Sequence, residues 1–519
     1  MRDDNINNRA DENRAGTRGA GPSPAQNLVV LAFLAGMVAL WTLLCAVSHR
    51  APDLDGMEEL VWASSFEFGY TKHPPLPSWF MYALSGLFGK PVWLAFFAGQ
   101  LVSALGLWFV WRLGCEFTSP RRALIATLMV STTLYFSLRG TIYNHNTAQL
   151  WSIAACTWLF YRALRHGRAS SWLWLGAVAG ASVLTKYSAV IQFGVFFIFI
   201  VALGHWRDPG VRRGVLQALA VFAVVISPHV YWLVDNDFAP FRYLDNSMET
   251  SSYAEVLKGI WDFSIDQLAR LSPMLLVWLA LYVWNRRRPI AQRGDTYAGE
   301  LAKWDRAFLL WVGLGPFLAT LLMSAVLGTR LVASWGTTFF ILYGYFAFWW
   351  LSGSTRATLR RTAILVITVH VLMAVGYAAA RGPLAHYSGR TARSTFPGPE
   401  IAQRMQQHWE AHAPGTPLRL VASDTWLGGN IAINLHPVAQ VFINGSYAES
   451  PWLFPDTALD CGVLVAYSGD TRGYLAEALL RLHEQASWKG VESLRWSSEK
   501  SPLIEIEWGI IPPSEACAQ

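Results

Sequence analysis

Residues 69–79 read GYTKHPPLPSW and follow closely on the first long apolar run of the chain. The first proline restricts His73 to an extended backbone, and the pair ends any preceding helix while permitting a new one directly after it. Lys72 and His73 are thereby held at one height beside an apolar segment. A lysine there fits two readings, attraction to lipid headgroups and recognition of one particular phosphate.

The rest of the chain says what kind of surface that is. Of 519 residues, 53% are hydrophobic and only 15% charged, and 26 are tryptophan. Soluble domains carry about 25% charge, so this is a polytopic membrane protein. The net charge of +6 does not indicate a nucleic-acid partner, because the basic residues fall between apolar runs. The five cysteines show no CxxC or Cys/His spacing, and no metal site is signalled. Cys461 and Cys517 both lie in the polar C-terminal part, where a disulfide and two free thiols both fit the sequence.

Residues 1–26 are too poor in large apolar side chains to pack and read as a disordered cytoplasmic tail. Residues 28–47 can cross a hydrocarbon core of roughly 30 Å and lack a small-residue cleavage site. Further apolar runs lie near 91–111, 123–138, 147–161, 171–185, 187–206, 214–234, 271–285, 307–327, 337–352 and 361–380, which predicts about eleven transmembrane helices. With a cytoplasmic N-terminus, the inner loops collect Arg112, Arg121 and Arg122, then Arg162, Arg165 and Arg168, then Arg207, Arg212 and Arg213, and the stretches NRRRPIAQRGD and TLRRT. The positive-inside rule then sets the orientation. The short run LPSWFMYALSGLFG is placed as a helix lying on the outer surface, since counting it as a span inverts every later loop.

From about Arg381 the pattern changes. Strand-like runs LRLVAS, VAQVFI and CGVLVAY alternate with the helical runs EIAQRMQQHWEAH and GYLAEALLRLHEQ. The expected domains are therefore the tail 1–26, a membrane domain 27–380 with a first outer loop at 48–90, and an outer α/β domain at 381–519.

This topology puts six polar clusters on the outer face: APDLDGMEELVW, GYTKHPPL, RGTIYNHN, TKYSA, SPHVYWLVDNDFAPFRY and GTRLVASWG. Ionisable groups at a membrane interface default to a site hypothesis. Asp55, Glu58 and Glu59 stand at helical spacing and form an acidic face that Trp62 continues. A solvated helix start with acids complementing the dipole is the plainer reading of that run. Lys186 interrupts an apolar stretch, where a charge costs roughly 2.5–3.5 kcal/mol and calls for an anionic partner, an interfacial depth or snorkelling. Arg139, His229 and Arg330 raise the same question.

An acid-bearing loop after the first span, followed by GYTKHPPLPSW and a helix ending LFG, resembles the GT-C superfamily of membrane glycosyltransferases. The likeness is to the bacterial branch related to protein O-mannosyltransferases, which includes lipid A aminoarabinose transferases and rhizobial core galacturonosyltransferases. YNHNTAQLW, LTKYSAV and SPHVYWLVDNDFAPFRY extend it over roughly 28–350. The resemblance implies a GT-C-type fold in the bacterial inner membrane with its active site and C-terminal domain periplasmic. It implies inverting transfer of a sugar from a polyprenyl-phosphate donor to a lipid or glycolipid acceptor, with lipid A or lipopolysaccharide core first. Asp55 matches the acidic position of a general base, with Glu58 beside it. Donor phosphate is assigned to Lys72, His73, Lys186, Arg139, His229 and Arg330, and sugar or acceptor contacts to Glu59, Tyr70, Asn144, Asn146 and Tyr187. Two departures stand out: Asp55 is followed by Gly56 where relatives carry Asp-Glu, and Asn146 and Thr147 stand where many carry Asp-Pro. The second favours a metal-independent reaction with no required cofactor, although a divalent cation stays open.

A lipid flippase or secondary transporter is the competing class. It predicts internal repeats and polar residues near the bilayer midplane, and no convincing repeat is seen. A third reading makes the C-terminal domain the functional module, where SDTWLGGNIA fits a strand leading into a helix with glycines beside a ligand, or a plain turn.

Overall fold

The computed structural model describes residues 21–242, 252–287, 301–352 and 354–518. Most of the expected tail, residues 288–295 of the basic loop and Tyr243 lie outside the described residues. The chain divides into two compact units, one of residues 1–39, 100–140 and 145–373, the other of 40–99, 141–144 and 374–519.

The helices run in the order α1 (Pro24–Ser48), α2 (Leu54–Trp62), α3 (Leu76–Phe88), α4 (Trp93–Phe117), α5 (Pro120–Ser131), α6 (His145–His166), α7 (Ala169–Thr185), α8 (Ala189–Ala202) and α9 (Pro209–Asp235). They continue with α10 (Tyr253–Arg286), α11 (Lys303–Leu327), α12 (Tyr343–Trp349), α13 (Thr355–Arg381) and α14 (Pro383–Ser388). Each of the eleven apolar runs contains one helix, but among the described residues only six are long and apolar enough to cross a membrane. These are α1, α4, α9, α10, α11 and the continuous segment of α13 and α14. Of the others, α6 has 22 residues and falls short in apolarity, while the rest are short: α5 gives way to turns after Ser131, α12 has seven residues, and α7 and α8 are separated by the break at Lys186.

Within the first unit, α7 packs on α9 through a small-residue stripe. A Cβ on Gly176 would lie 2.2 Å from the Ala218 carbonyl oxygen, and one on Gly180 would lie 2.6 Å from Val225 Cγ1. This four-residue glycine spacing lets two helix backbones approach as lipid-embedded helices do. An aromatic cluster joins α6, α8 and α11, with Phe160 stacked on Phe196 at 4.2 Å and Phe199 against Phe308 at 5.5 Å.

In the second unit, the C-terminal region carries α15 (Gly398–His412), α16 (Thr425–Ala432) and α17 (Glu477–Gln485) with strands β1 (Leu420–Ser423), β2 (Gln440–Ile443), β3 (Val463–Ser468), β4 (Trp488–Arg495) and β5 (Leu503–Ile511). The sheet order is β2-β1-β3-β5-β4. β1 pairs in parallel with β2 and β3, and β5 pairs antiparallel with both β3 and β4. A disulfide joins Cys461 to Cys517.

The core of this sheet also contains Ala51, Met57, Val61, Trp62 and Tyr70. The glycine pair of SDTWLGGNIA explains how. Both glycines lie inside α16, and a Cβ on Gly429 would stand 2.6 Å from Met57 Cγ, while one on Gly428 would meet Ser423 and Val441 at 2.9 Å. They are neither a ligand loop nor a turn but the contact by which α16 seats between the sheet and α2.

Overpacked cores lose about 1–3 kcal/mol or more. Gly176→Val and Gly429→Val are each expected to lower the unfolding temperature of the purified protein by several degrees, whereas Gly194→Ala, with open space at its Cβ position, should not.

Candidate active site

The acidic loop is built on α2. Asp53 caps it, accepting from Leu54 N at 2.7 Å and receiving Arg393 Nη1 at 3.1 Å. Asp55 lies in the first turn, where the helix dipole favours negative charge, and its Oδ2 accepts from Asn144 Nδ2 at 2.8 Å. Glu58 is paired with Lys72, Nζ to Oε1 at 2.6 Å. Burial pushes the Glu58 carboxyl above its ordinary value, and the Lys72 charge offsets part of that shift. Glu59 is 1% exposed and accepts from Ser78 Oγ at 2.8 Å. Its burial raises it well above the usual carboxylate range.

GYTKHPPLPSW folds back over α2. Trp62 stacks on Tyr70 at 4.6 Å, and His73 meets the same indole edge-on at 6.2 Å. The Tyr70 hydroxyl donates to the carbonyls of Trp62 and Ser65 at 3.2 and 3.3 Å. The prolines act as expected: helix α3 starts at Leu76, directly after Pro75. Tyr143 then donates to the Pro77 carbonyl at 2.8 Å. Seven predicted residues, Asp55, Glu58, Glu59, Tyr70, Lys72, His73 and Asn144, thus lie in the second unit, on α2 or on segments that contact it or its neighbours.

Glu59 and Tyr70, expected among the acceptor contacts, are both buried, Tyr70 being 2% exposed. Their hydrogen bonds go to the end of α2, the loop after it and α3. Lys72 keeps 34% of its side chain exposed.

The first unit holds a second group. The chain leaves α7 at Thr185, Lys186 takes an extended conformation, and helix resumes at Ala189. A break of this kind frees backbone carbonyls inside an apolar region. Gln149 Nε2 satisfies the Lys186 carbonyl at 2.8 Å. Lys186 Nζ donates to Asn146 Oδ1 and stands 5.8 Å from the centre of the Trp335 ring. Among its partners are thus an amide oxygen and an aromatic face. Tyr187 and His229 share a hydrogen bond of 2.8 Å, and Phe241 stacks on Tyr187 at 4.9 Å. Arg139 sits half-buried in a short turn whose amide bonds to the Leu134 carbonyl at 2.8 Å, and Arg330 is exposed after α11.

Ser78, Gln149 and Trp335 were not anticipated. Ser78 lies inside the quoted motif, but its pairing with Glu59 spans nineteen residues and has no local signal.

The comparisons with known proteins bear on this arrangement. Residues 72–232 match the sequence family described as dolichyl-phosphate-mannose-protein mannosyltransferase. The fold is similar to that of ArnT from Cupriavidus metallidurans, solved bound to undecaprenyl phosphate, with a TM-score of 0.62 and 14% identity over 93% of this chain and 98% of that one. The apo ArnT structure gives a TM-score of 0.63. Fold and sequence together define a membrane glycosyltransferase with a GT-C-type fold. Within that class, the chain is 22% identical to the lipopolysaccharide core galacturonosyltransferase RgtA of Rhizobium johnstonii, over 79% of this chain and 81% of the relative. It is similar also to RgtB of the same organism, named as a lipopolysaccharide core galacturonosyltransferase, at 24% over 74% of this chain and 77% of that one.

The burial of Glu59 has a pH consequence. The folded state keeps a proton that the unfolded chain releases above about pH 4.5, so this residue makes stability fall as pH rises beyond that value. Glu59→Gln is expected to unfold at a higher temperature than wild type near pH 8 and to lose that advantage near pH 4.5. Thermal unfolding across the range checks it, and a variant less stable than wild type at pH 8 would show Glu59 to be usefully ionised.

Proposed function

We propose that this chain is an inverting transferase that moves a sugar from a polyprenyl-phosphate donor to lipid A or lipopolysaccharide core at the periplasmic face of the bacterial inner membrane. Residues 27–380 would form the membrane catalytic domain, the N-terminus lying in the cytoplasm and residues 381–519 in the periplasm. The acceptor class rests on similarity to the lipopolysaccharide galacturonosyltransferases, and the donor class on the ArnT-like fold.

Asp55 is the general base in this reading. The observation that carries it is the placement of its carboxylate in the first turn of α2, with one oxygen held by Asn144. Glu58 is committed to Lys72 and Glu59 is buried, so among the three acids Asp55 is the one suited to orient an acceptor hydroxyl and take its proton. The acceptor oxygen attacks the anomeric carbon, and the carbon–oxygen bond to the polyprenyl phosphate breaks on the opposite face. Base catalysis of this kind contributes about 100- to 10,000-fold. The departing phosphate gains charge, and fixed cations stabilise it. Lys72 and Lys186 are assigned that role, with Arg139, His73, His229 and Arg330 as further donor contacts. Glu58 holds Lys72 in place, Glu59 and Tyr70 position the loop, and Asn146 and Tyr187 are assigned to the sugar.

Transfer of radiolabel from polyprenyl-phosphate sugars to lipopolysaccharide tests the reading. Folded Asp55→Asn is expected to lose at least about 100-fold in kcat. Lys72→Ala is expected to raise the donor KM about tenfold or more, with partial recovery in Lys72→Arg. If folded wild type consumes no donor, or if both variants transfer normally, the assignment fails and a lipid transporter becomes the leading reading.

A further inference from the structure

We infer that the C-terminal sheet carries a second carbohydrate site, a cavity that holds a neutral pyranose of the acceptor's saccharide. The cavity has a volume of about 400 Å³ and is lined at the carboxyl ends of the three parallel strands. Asp424 directly follows β1, Asn444 directly follows β2, and Ser468 ends β3. Open α/β sheets bind small molecules at this edge.

The lining matches a sugar ring better than other small molecules. Phe396, Trp426, Trp496 and Tyr474 supply aromatic surface, and Leu427, Leu475, Ile504 and Ile506 complete the apolar wall. Phe396 sits at the corner, 5.6 Å from Trp426 and 5.2 Å from Trp496. Trp496 is fixed by its indole N–H, which donates to the Ala392 carbonyl at 2.9 Å. Arg393 packs over Trp426 at 5.5 Å. Held rings such as Phe396, Trp426 and Trp496 bind the C–H faces of a pyranose, with the exposed Tyr474 at the mouth, while a few placed polar groups meet its hydroxyls.

Those polar groups are held in place. Asp424 Oδ1 accepts from the amides of Trp426 and Leu427 at 2.8 and 3.0 Å, which leaves Oδ2 for a ligand hydroxyl. Asn444 Nδ2 donates to Glu449 at 3.0 Å, which leaves its Oδ1 as acceptor. Among the described residues the lining contains a carboxylate, Asp424, and no lysine or arginine, which favours a neutral sugar over phosphate or an acidic one. An acyl chain would leave Asp424 and Asn444 desolvated against hydrocarbon.

The identity of the ligand as acceptor saccharide rests on the transferase reading above. The site also has a structural reason to serve it. Asp424 and Trp426 stand at the start of α16, whose Gly429 packs on Met57 and Val61 of α2. The helix that bears Asp55 and the helix that bears this cavity are therefore in direct contact within one unit.

The test is direct binding of deacylated oligosaccharide from purified lipopolysaccharide to the full-length protein, by calorimetry and tryptophan fluorescence, beside transfer kinetics. Trp426→Leu and Tyr474→Ala are expected to weaken binding at least about tenfold and raise the acceptor KM in step, with donor KM and kcat unchanged. Tyr474 is 93% exposed, so its variant keeps the test open if Trp426→Leu does not fold. Oligosaccharide that binds folded Tyr474→Ala and Trp426→Leu as it binds wild type would overturn the site while leaving the transferase reading intact. Binding that is lost in the variants of a protein with no transferase activity would keep the site and remove the catalytic reading. No oligosaccharide binding to wild type would overturn the site outright.

Discussion

Met57, Val61 and Trp62 are sealed in the same core as strands β1, β2, β3 and β5, and the acidic loop takes its shape from that burial. α2 has nine residues, too few to be stable alone in water. Its apolar side is fixed by α16, where Gly429 permits the approach, and its far end by Tyr70 stacked on Trp62. Once those contacts are made, the polar residues of α2 are constrained. Asp55 reaches Asn144, Glu58 reaches Lys72, and Glu59 turns inward to Ser78.

Three acids at helical spacing thus acquire three different environments. A single face of like charges would be self-repelling, and the structure resolves this by pairing one, burying one and holding one by an amide. Lys72 is compensated by a carboxylate and Lys186 by an amide oxygen and an indole face.

Much of this was legible in the sequence. The alternation of LRLVAS, VAQVFI and CGVLVAY marked three strands correctly, and the prolines of GYTKHPPLPSW placed the start of α3. The charge in LTKYSA marked a break between two helices, since a lysine there interrupts an apolar run that the backbone also interrupts. Other features had no local signal. Span length was overestimated at 123–138 and 337–352 because apolar composition does not reveal where turns interrupt a helix. The glycine pair in α16 was read as a ligand loop or a turn, because close approach to Met57 depends on a residue some 370 positions away in sequence. The clustering of residues 40–99 with 374–519 is likewise a long-range property.

That last feature bears on how the protein is made. α2 leaves the ribosome early, yet most of the side chains that share a core with Met57, Val61 and Trp62 belong to residues 396–510 and are synthesised far later. Contacts of such separation form slowly, and domains ordinarily fold as units during synthesis. Here the unit is discontinuous, so the core around the helix bearing Asp55 is completed only when nearly the whole chain has been produced. The acidic loop and the sheet are therefore one folding unit, and neither half of the chain contains all the parts that hold Asp55 in position.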